Sequence, residues 1–252
     1  MISKALLKNI KTLELKKFRK ESGLFVAEGS KTVIDLMNAG MKAEKLIATE
    51  EWISSHRITQ NVEIITASEE EIKRASFLRT PQGVICIFRQ PVFEIDMTAA
   101  QSNLSLALDN VQDPGNLGTI IRIADWFGIE DIYCSIGCAD AYSPKTIQAT
   151  MGAIGRVRVH YVNLEEFISS LKGKIPVYGT FLDGDDIYST TLTPNGLIVM
   201  GNEGNGISDG CASLITERLL IPNFPTGRKT SESLNVSTAT AIVCSEFRRR
   251  MK

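Results

Sequence analysis

Histidine is nearly absent from this 252-residue chain, which contains only His56 and His160. The five cysteines (Cys86, Cys134, Cys138, Cys211 and Cys244) are an odd, scattered set. Cys134 and Cys138 have the spacing to share a helical face, but no second pair and no nearby histidine complete a metal site. Reduced structural thiols and metal-free chemistry are the expectation. Long apolar runs are also missing. Stretches such as Leu104–Leu108 are far too short to span a bilayer. Residues 1–20 are lysine-rich and lack the uninterrupted apolar core of a secretory signal. A cytoplasmic location without membrane contact is therefore expected. A strong charge of one sign is missing as well: 28 basic residues face 29 acidic ones, so global electrostatics do not mark a nucleic-acid binder.

Local charge is more uneven. Lys4, Lys8, Lys11, Lys16, Lys17, Arg19 and Lys20 face the single acid Glu14, and further clusters occur at Arg228-Lys229 and at Arg248-Arg249-Arg250 with Lys252. Each cluster reads either as a solvated face or as a set of phosphate contacts.

The spacing of apolar residues predicts a small α/β unit over residues 1–92. It begins with a basic helix over residues 3–20, then a strand at Leu24-Phe25-Val26-Ala27. A helix follows with Val33, Ile34, Leu36 and Met37 on its apolar side, ended by Gly40. Residues 45–49, 62–66 and 83–88 read as strands, and Ser68 with Glu71 forms a capping box. Residues 91–103 read as a linker. From Leu104 onward strands and helices alternate: strands at 104–108, 131–134, 157–162, 176–181 and 196–200, helices at 115–127, 144–151, 164–171 and 234–250. This alternation implies a mainly parallel sheet covered on both faces.

Three separated segments are small, polar and rich in glycine and asparagine: Asn110-Val111-Gln112-Asp113-Pro114-Gly115-Asn116-Leu117-Gly118, Gly201-Asn202-Glu203-Gly204-Asn205-Gly206, and Ser233-Leu234-Asn235-Val236-Ser237. Glycines let a ligand approach the backbone, and Asn and Ser supply hydrogen bonds without fixed charge. In the first segment Asp113 and Pro114 suit a helix start. Leu117, Ile120, Ile121, Ala124 and Phe127 form an apolar stripe, with Arg122 opposite it alongside Gly115 and Gly118. Arg122 could meet a phosphate or ribose near the positive helix end, or could pair with Asp125 three residues on. The second segment has glycines spaced G-x-x-G-x-G, not the G-x-G-x-x-G of a dinucleotide fingerprint, which disfavours an NAD(P)-dependent oxidoreductase.

In this order, across residues 104–247, the three segments resemble the motifs of the SpoU/TrmH family of RNA ribose 2'-O-methyltransferases, within the SPOUT superfamily. The Phe-Val-Ala-Glu-Gly start and the Thr80-Pro81-Gln82-Gly83-Val84 turn more loosely resemble the ribosomal-protein-like RNA-binding domain that precedes such catalytic domains. The resemblance implies a substrate-binding domain over residues 1–92 and a methyltransferase domain with a C-terminal trefoil knot over residues 104–252. It implies S-adenosyl-L-methionine as methyl donor, bound by Gly201, Ile221 and Leu234 together with Thr180, Asn202 and Gly206. Arg122, Asn116, Glu203, Ser233 and Asn235 match the catalytic positions. The partner implied is structured RNA, ribosomal rather than transfer RNA, with no DNA. A homodimer is also implied, for which Ile242, Val243 and Phe247 offer apolar positions that burial within one subunit would explain equally well. This chain departs from the usual pattern at Asn223, where methionine is common, and in the long stretch from Phe224 to Thr230.

A methyl-transfer site must align a ribose hydroxyl with the methyl group and remove its proton. Arg122 is an awkward base: lowering an arginine pKa from near 13 to 7 costs about 8 kcal/mol at about 1.36 kcal/mol per unit. The expectation is that Arg122 orients the hydroxyl and its neighbouring phosphate, that Glu203 orients Arg122, and that Asn116 and Asn235 fix the geometry. The competing class is a catalytically silent RNA-binding protein of the same fold, disfavoured by the intact Asn116, Arg122, Glu203 and Asn235.

Overall fold

The structure, a computed structural model, describes residues 1–225, 228–229 and 233–251. Thr230 and Lys252, singled out in the sequence, lie outside the described residues. By contacts the chain forms two compact units: Met1–Val92 together with Asp140–Arg156, and Phe93–Ala139 together with the chain from Val157 onward.

The first unit opens with two helices, α1 (Lys4–Thr12) and α2 (Lys16–Ser22), where the charge pattern suggested one. The break has a physical cause at Leu13, which is buried and ends α1. Leu15 then takes an extended conformation that starts α2. The Arg19 guanidinium turns inward and donates to the carbonyls of Leu13 and Glu14, each at 2.7 Å, fixing the corner. It also meets Asp140 at 2.6 Å with its side chain 3% exposed. Arg19 is thus a structural cation, not a phosphate contact.

There follow β1 (Leu24–Glu28), α3 (Ser30–Asn38), β2 (Ala43–Ala48), α4 (Glu50–Ser55), β3 (Glu63–Thr66), α5 (Glu69–Ala75) and β4 (Val84–Arg89). The unexpected α4 is nucleated by Thr49, whose hydroxyl accepts from Trp52 N, with Glu50 and Glu51 in its first turn. The capping box at Ser68 and Glu71 is present. The sheet order is β1-β4-β2-β3, with β2 and β3 parallel and the other pairs antiparallel. Val26, Ile47, Ile85 and Ile87 pack with Ile10 and Ile72 into one core.

The second unit begins inside the expected linker, with α6 (Met97–Ser102). Asp96 caps it through Thr98 N and Ala99 N, and Ala100 is buried. It continues with β5 (Leu104–Leu108), α7 (Pro114–Trp126) and β6 (Asp131–Ser135). Residues 140–156, which carry α8 (Pro144–Thr150), cluster with the first unit. Then come β7 (Arg158–Val162), α9 (Leu164–Leu171), β8 (Val177–Asp186), β9 (Gly196–Met200), α10 (Asp209–Ala212), β10 (Glu217–Leu220) and α11 (Val236–Arg249). The sheet order is β10-β8-β9-β5-β6-β7 and every pair is parallel. All residues of β5 and β9 are buried, which explains their nearly all-apolar sequences, broken by Ser105 alone. β8 is longer than its apolar run. It pairs with β10 at Gly179–Arg218, and the register then jumps to Asp185–Leu219, so residues 180–184 bulge out.

Val243 and Phe247 of α11 are fully buried, and the Phe247 ring meets Tyr178 edge-on at 4.9 Å. Packing within one chain therefore accounts for these two positions. The terminal arginines are also largely structural. Arg248 donates to the carbonyls of Phe127 and Gly128, and Arg250 to those of Ile187 and Tyr188. Arg249 and Arg250 both pair with Glu246.

Candidate active site

A parallel sheet brings its carboxyl ends to one edge, the usual place for a site in open α/β folds. Here the chain leaves β5 through Asp109 and Asn110, leaves β9 through Gly201, and leaves β10 through Ile221. Asn110 adopts a left-handed φ of 56°. Its backbone N–H donates to Ser135 Oγ at 2.9 Å, and its carbonyl accepts from Asn202 Nδ2 at 2.8 Å. Behind this turn the Cys138 thiol is held down to about 7, first by the Cys134 thiol and then by Ser135. Cys134 and Cys138 thus meet from a strand and its following turn, not from one helix.

Asp113 caps α7 by accepting from Asn116 N at 2.8 Å, and Pro114 occupies the first helical position, where no N–H is needed. Leu117, Gly118, Ile120, Ile121 and Ala124 are buried, while Arg122 is exposed. Gly118 thus faces the core and clears no space beside Arg122. Among the described residues Arg122 has no hydrogen-bond or ion-pair partner, so the pairing with Asp125 is not formed.

The Gly201–Gly206 loop is closed by Asn202 and Gly206, which exchange two backbone hydrogen bonds of 2.9 Å. Asn202 Oδ1 accepts from the N–H groups of Gly204 and Asn205. The Asn202 side chain therefore shapes the loop. A Cβ at Gly201 would lie 2.2 Å from the Gly206 carbonyl carbon, so only glycine fits there. Gly206 has φ 69°.

The three segments meet through a chain of side chains. Asn235 Nδ2 donates to Asn116 Oδ1 at 3.0 Å, and Asn116 Nδ2 donates to Glu203 Oε1 at 2.7 Å. Its direction is fixed at both ends. A carboxylate only accepts, so the Asn116 amide nitrogen must face Glu203. Asn235 Oδ1 already accepts from Ser237 N and Thr238 N as the cap of α11, leaving its amide nitrogen for Asn116. The expected Glu203–Arg122 contact is not formed; Glu203 is engaged by Asn116 instead. Ser233 and Leu234 are exposed beside Asn235, and Thr180 Oγ1 lies 3.9 Å from Met200 Sδ in the bulging part of β8.

Sequence reasoning missed Asp109. It is 3% exposed and accepts from Asn110 Nδ2 at 2.9 Å and from Ser208 N at 2.8 Å, tying the first segment to the end of the second. The signal was available: an acid directly after a largely apolar, buried strand must be paired. Ser237 was missed in the same way; its hydroxyl donates to Asn235 Oδ1 at 2.6 Å.

Residues 103–245 match the model of the SpoU rRNA Methylase family, and residues 4–86 match the MRM3-like substrate binding domain. Over 244 residues the chain is 31% identical to 23S rRNA (guanosine(2553)-2'-O)-methyltransferase RlmP of Bacillus subtilis, covering 96% of this chain and 95% of that one. A solved structure from Porphyromonas gingivalis, assigned to the TrmH family of RNA methyltransferases, is 38% identical with a TM-score of 0.88 and covers 99% of both chains. The AdoMet-bound rRNA methyltransferase of Sinorhizobium meliloti is 30% identical with a TM-score of 0.87, covering 100% of this chain and 97% of that one. The residues that join Asn116, Glu203 and Asn235 all lie within the matched span, and the chain belongs to the SpoU rRNA methylase family.

Proposed function

We propose that this chain methylates a ribose 2'-hydroxyl in ribosomal RNA with S-adenosylmethionine as donor, and that Arg122, Asn116, Glu203, Ser233 and Asn235 form its catalytic group. The observation that carries this reading is the directed relay Asn235–Asn116–Glu203, which joins three distant segments and includes a residue of the helix that also carries the exposed Arg122.

The residues present fit the donor. Backbone at Gly201, Ile221 and Leu234 makes no hydrogen bond among the described residues, and each lies beside a strand end or helix start facing the site edge. Main-chain groups left unpaired at such a place are available to a bound ligand. Gly201 and Ile221 would hold the donor with Leu234, while Thr180 and Gly206 line it and Asn202 fixes the loop. When bound, S-adenosylmethionine supplies a methyl group already activated by its positive sulfur.

The work left to the chain is orientation and proton handling. Arg122 remains a cation and holds the hydroxyl and the adjacent phosphate. Glu203 has one oxygen committed to Asn116, and the other has no partner among the described residues. That free oxygen is placed to accept the hydroxyl proton's hydrogen bond. Asn116 and Asn235 keep the carboxylate from rotating away. Ser233 lies at the entrance beside Leu234.

Ribosomal over transfer RNA is supported by the names of the full-length relatives. A homodimer belongs to the same proposal. Trp126, at the outer end of α7 one turn beyond Arg122, is 85% exposed, which invites cover by a second copy. The trefoil knot and a cytoplasmic location complete it. The deciding experiment is transfer of labelled methyl from S-adenosylmethionine to ribosomal and transfer RNA, with mapping of the alkali-resistant ribose. Donor binding without transfer to either RNA would point to an unusual substrate or an assembly intermediate, and no donor binding at all would overturn the reading.

A further inference from the structure

The end of β6 and the turn after it bring two of the five cysteines together. Cys134 lies across from Leu108 of β5 in the parallel register, and the Cys138 thiol donates to the Leu108 carbonyl at 3.2 Å, so both residues meet at one rung of the sheet. The Cys134 thiol donates to the Cys138 sulfur. The Ser135 hydroxyl lies 3.6 Å from that sulfur, and the N–H groups of Val111 and Ser135 also donate to it. These donors, Cys134 first, hold the Cys138 thiol down to about 7, against the effect of its burial. The other four thiols are all pushed up: Cys134 by the bond it gives and by burial, Cys86, Cys211 and Cys244 by burial. A sulfur that is partly thiolate at neutral pH, beside a second thiol, is the kind that peroxide oxidises first. Cys138 is 3% exposed, but it lies in a turn whose Ile136 and Gly137 are exposed, and hydrogen peroxide is scarcely larger than water.

The same turn is keyed to the candidate active site. Cys138 N donates to the Ser135 carbonyl at 3.0 Å, Ser135 Oγ accepts from Asn110 N at 2.9 Å, and Ala139 N donates to the Val111 carbonyl at 2.9 Å. A Cβ at Gly137 would lie 2.0 Å from Asn110 Oδ1, so the turn and Asn110 are packed without slack. The Asn110 carbonyl in turn anchors Asn202 of the Gly201–Gly206 loop. We propose that Cys134 and Cys138 are a redox pair, closed to a disulfide by hydrogen peroxide, that weakens donor binding at this loop. The Cys138 thiolate attacks one peroxide oxygen; the S–O bond forms, the O–O bond breaks, and the leaving hydroxide takes up a proton as water. The Cys134 sulfur, losing its proton, then attacks the Cys138 sulfur; the S–S bond forms, the S–O bond breaks, and a second water leaves. Two thiols are oxidised and one peroxide is reduced to two waters. Bonded to Cys134, Cys138 gives up its donation to Leu108, and the turn that carries Asn110 shifts with it. The effect on the donor rests on the methyltransferase reading, whereas the bond between the sulfurs does not.

The test treats the full chain with hydrogen peroxide, stops the reaction with catalase, and alkylates the remaining thiols after denaturation. The peptide carrying both residues should be lighter by two hydrogen atoms and unalkylated in the mass spectrum, with Cys86, Cys211 and Cys244 alkylated as before, and dithiothreitol should reverse the change. Cys134→Ser should stop instead at the Cys138 sulfenic acid, which dimedone traps. Oxidation should raise the Kd for S-adenosylmethionine about tenfold in calorimetry, the scale of one or two lost hydrogen bonds, and reduction should restore it. Five free thiols after peroxide treatment, or a disulfide joining any other pair, would overturn the redox pair. A Cys134–Cys138 disulfide that leaves the donor Kd within twofold would overturn the switch. Reduced protein that binds no donor would overturn the methyltransferase reading, and the masses would still judge the pair.

Discussion

The relay makes Asn116→Asp a sharper test than any truncation. The change is nearly isosteric, yet it replaces the amide that donates to Glu203 at 2.7 Å with a second carboxylate oxygen. A hydrogen bond to a charged group contributes about 1.5–3 kcal/mol, with the lower end appropriate here because Glu203 is exposed. Two unit charges at about 4 Å repel by about 1 kcal/mol in bulk water and about 4 kcal/mol at a protein surface. Together these displace Glu203 at a cost of about 3 kcal/mol, which is about a hundredfold in kcat. Asn235 can still donate to the new carboxylate, so the start of α11 should hold and the melting temperature should move little. The assay is kcat for methyl transfer at saturating RNA, with donor affinity measured by calorimetry as the control. Adding Glu203→Gln should recover about tenfold, since the amide it introduces can donate to the carboxylate at position 116 and remake the bond in reverse. A kcat for Asn116→Asp within twofold of wild type, or a double variant no better than the single one, would refute the relay.

Other expectations follow from the same geometry. Arg122→Lys should abolish turnover while leaving the Kd for S-adenosylmethionine within about twofold, because a lysine cannot reproduce the planar fork; full activity would remove Arg122 from the mechanism. Gly201→Ala forces a methyl to within 2.2 Å of Gly206 backbone, so donor binding should fall by tenfold or more, about 1.4 kcal/mol, as read by calorimetry. Asp131 would be raised by burial, but hydrogen bonds from Arg158 and His160 hold its pKa at about 2. A carboxylate lowered from 3.8 contributes about 2 kcal/mol of stability, which is complete above pH 4 and lost as pH falls through 2. Asp131→Asn should flatten that acid limb in denaturant titrations between pH 4 and 2; an unchanged slope would show that other groups set it.

Periodicity found the centre of the second unit because β5 and β9 are buried along their whole length and read as largely apolar runs. The motifs located Asn116, Glu203 and Asn235, yet spacing alone could not reveal which atom faces which. Glu203 was matched to Arg122; the structure instead satisfies it with an uncharged amide, and the guanidinium has no partner among the described residues. Two of the elements missed are set by a single cap. Thr49 starts α4 and Asp96 starts α6, each in a stretch too short for a periodic signal. The basic clusters misled for a different reason. Arg19, Arg248 and Arg250 reach backbone carbonyls that are distant in sequence or formed only by the fold, so their charge pattern carried no trace of that use.

Arg19 also bears on how this chain could be cut or recombined. Its guanidinium, 3% exposed, depends on Asp140, a residue that arrives only after β6 has been laid down in the other unit. A fragment ending at residue 92 would bury an uncompensated cation, and removing one partner of such a pair costs about 3–5 kcal/mol. Tyr142, whose ring lies 5.0 Å from Phe25, would be lost with it. The amino-terminal region is therefore not a cassette that can be spliced in front of an unrelated catalytic domain. Its completion is written into the middle of its neighbour's sequence, so the two are bound to be inherited, expressed and redesigned as one.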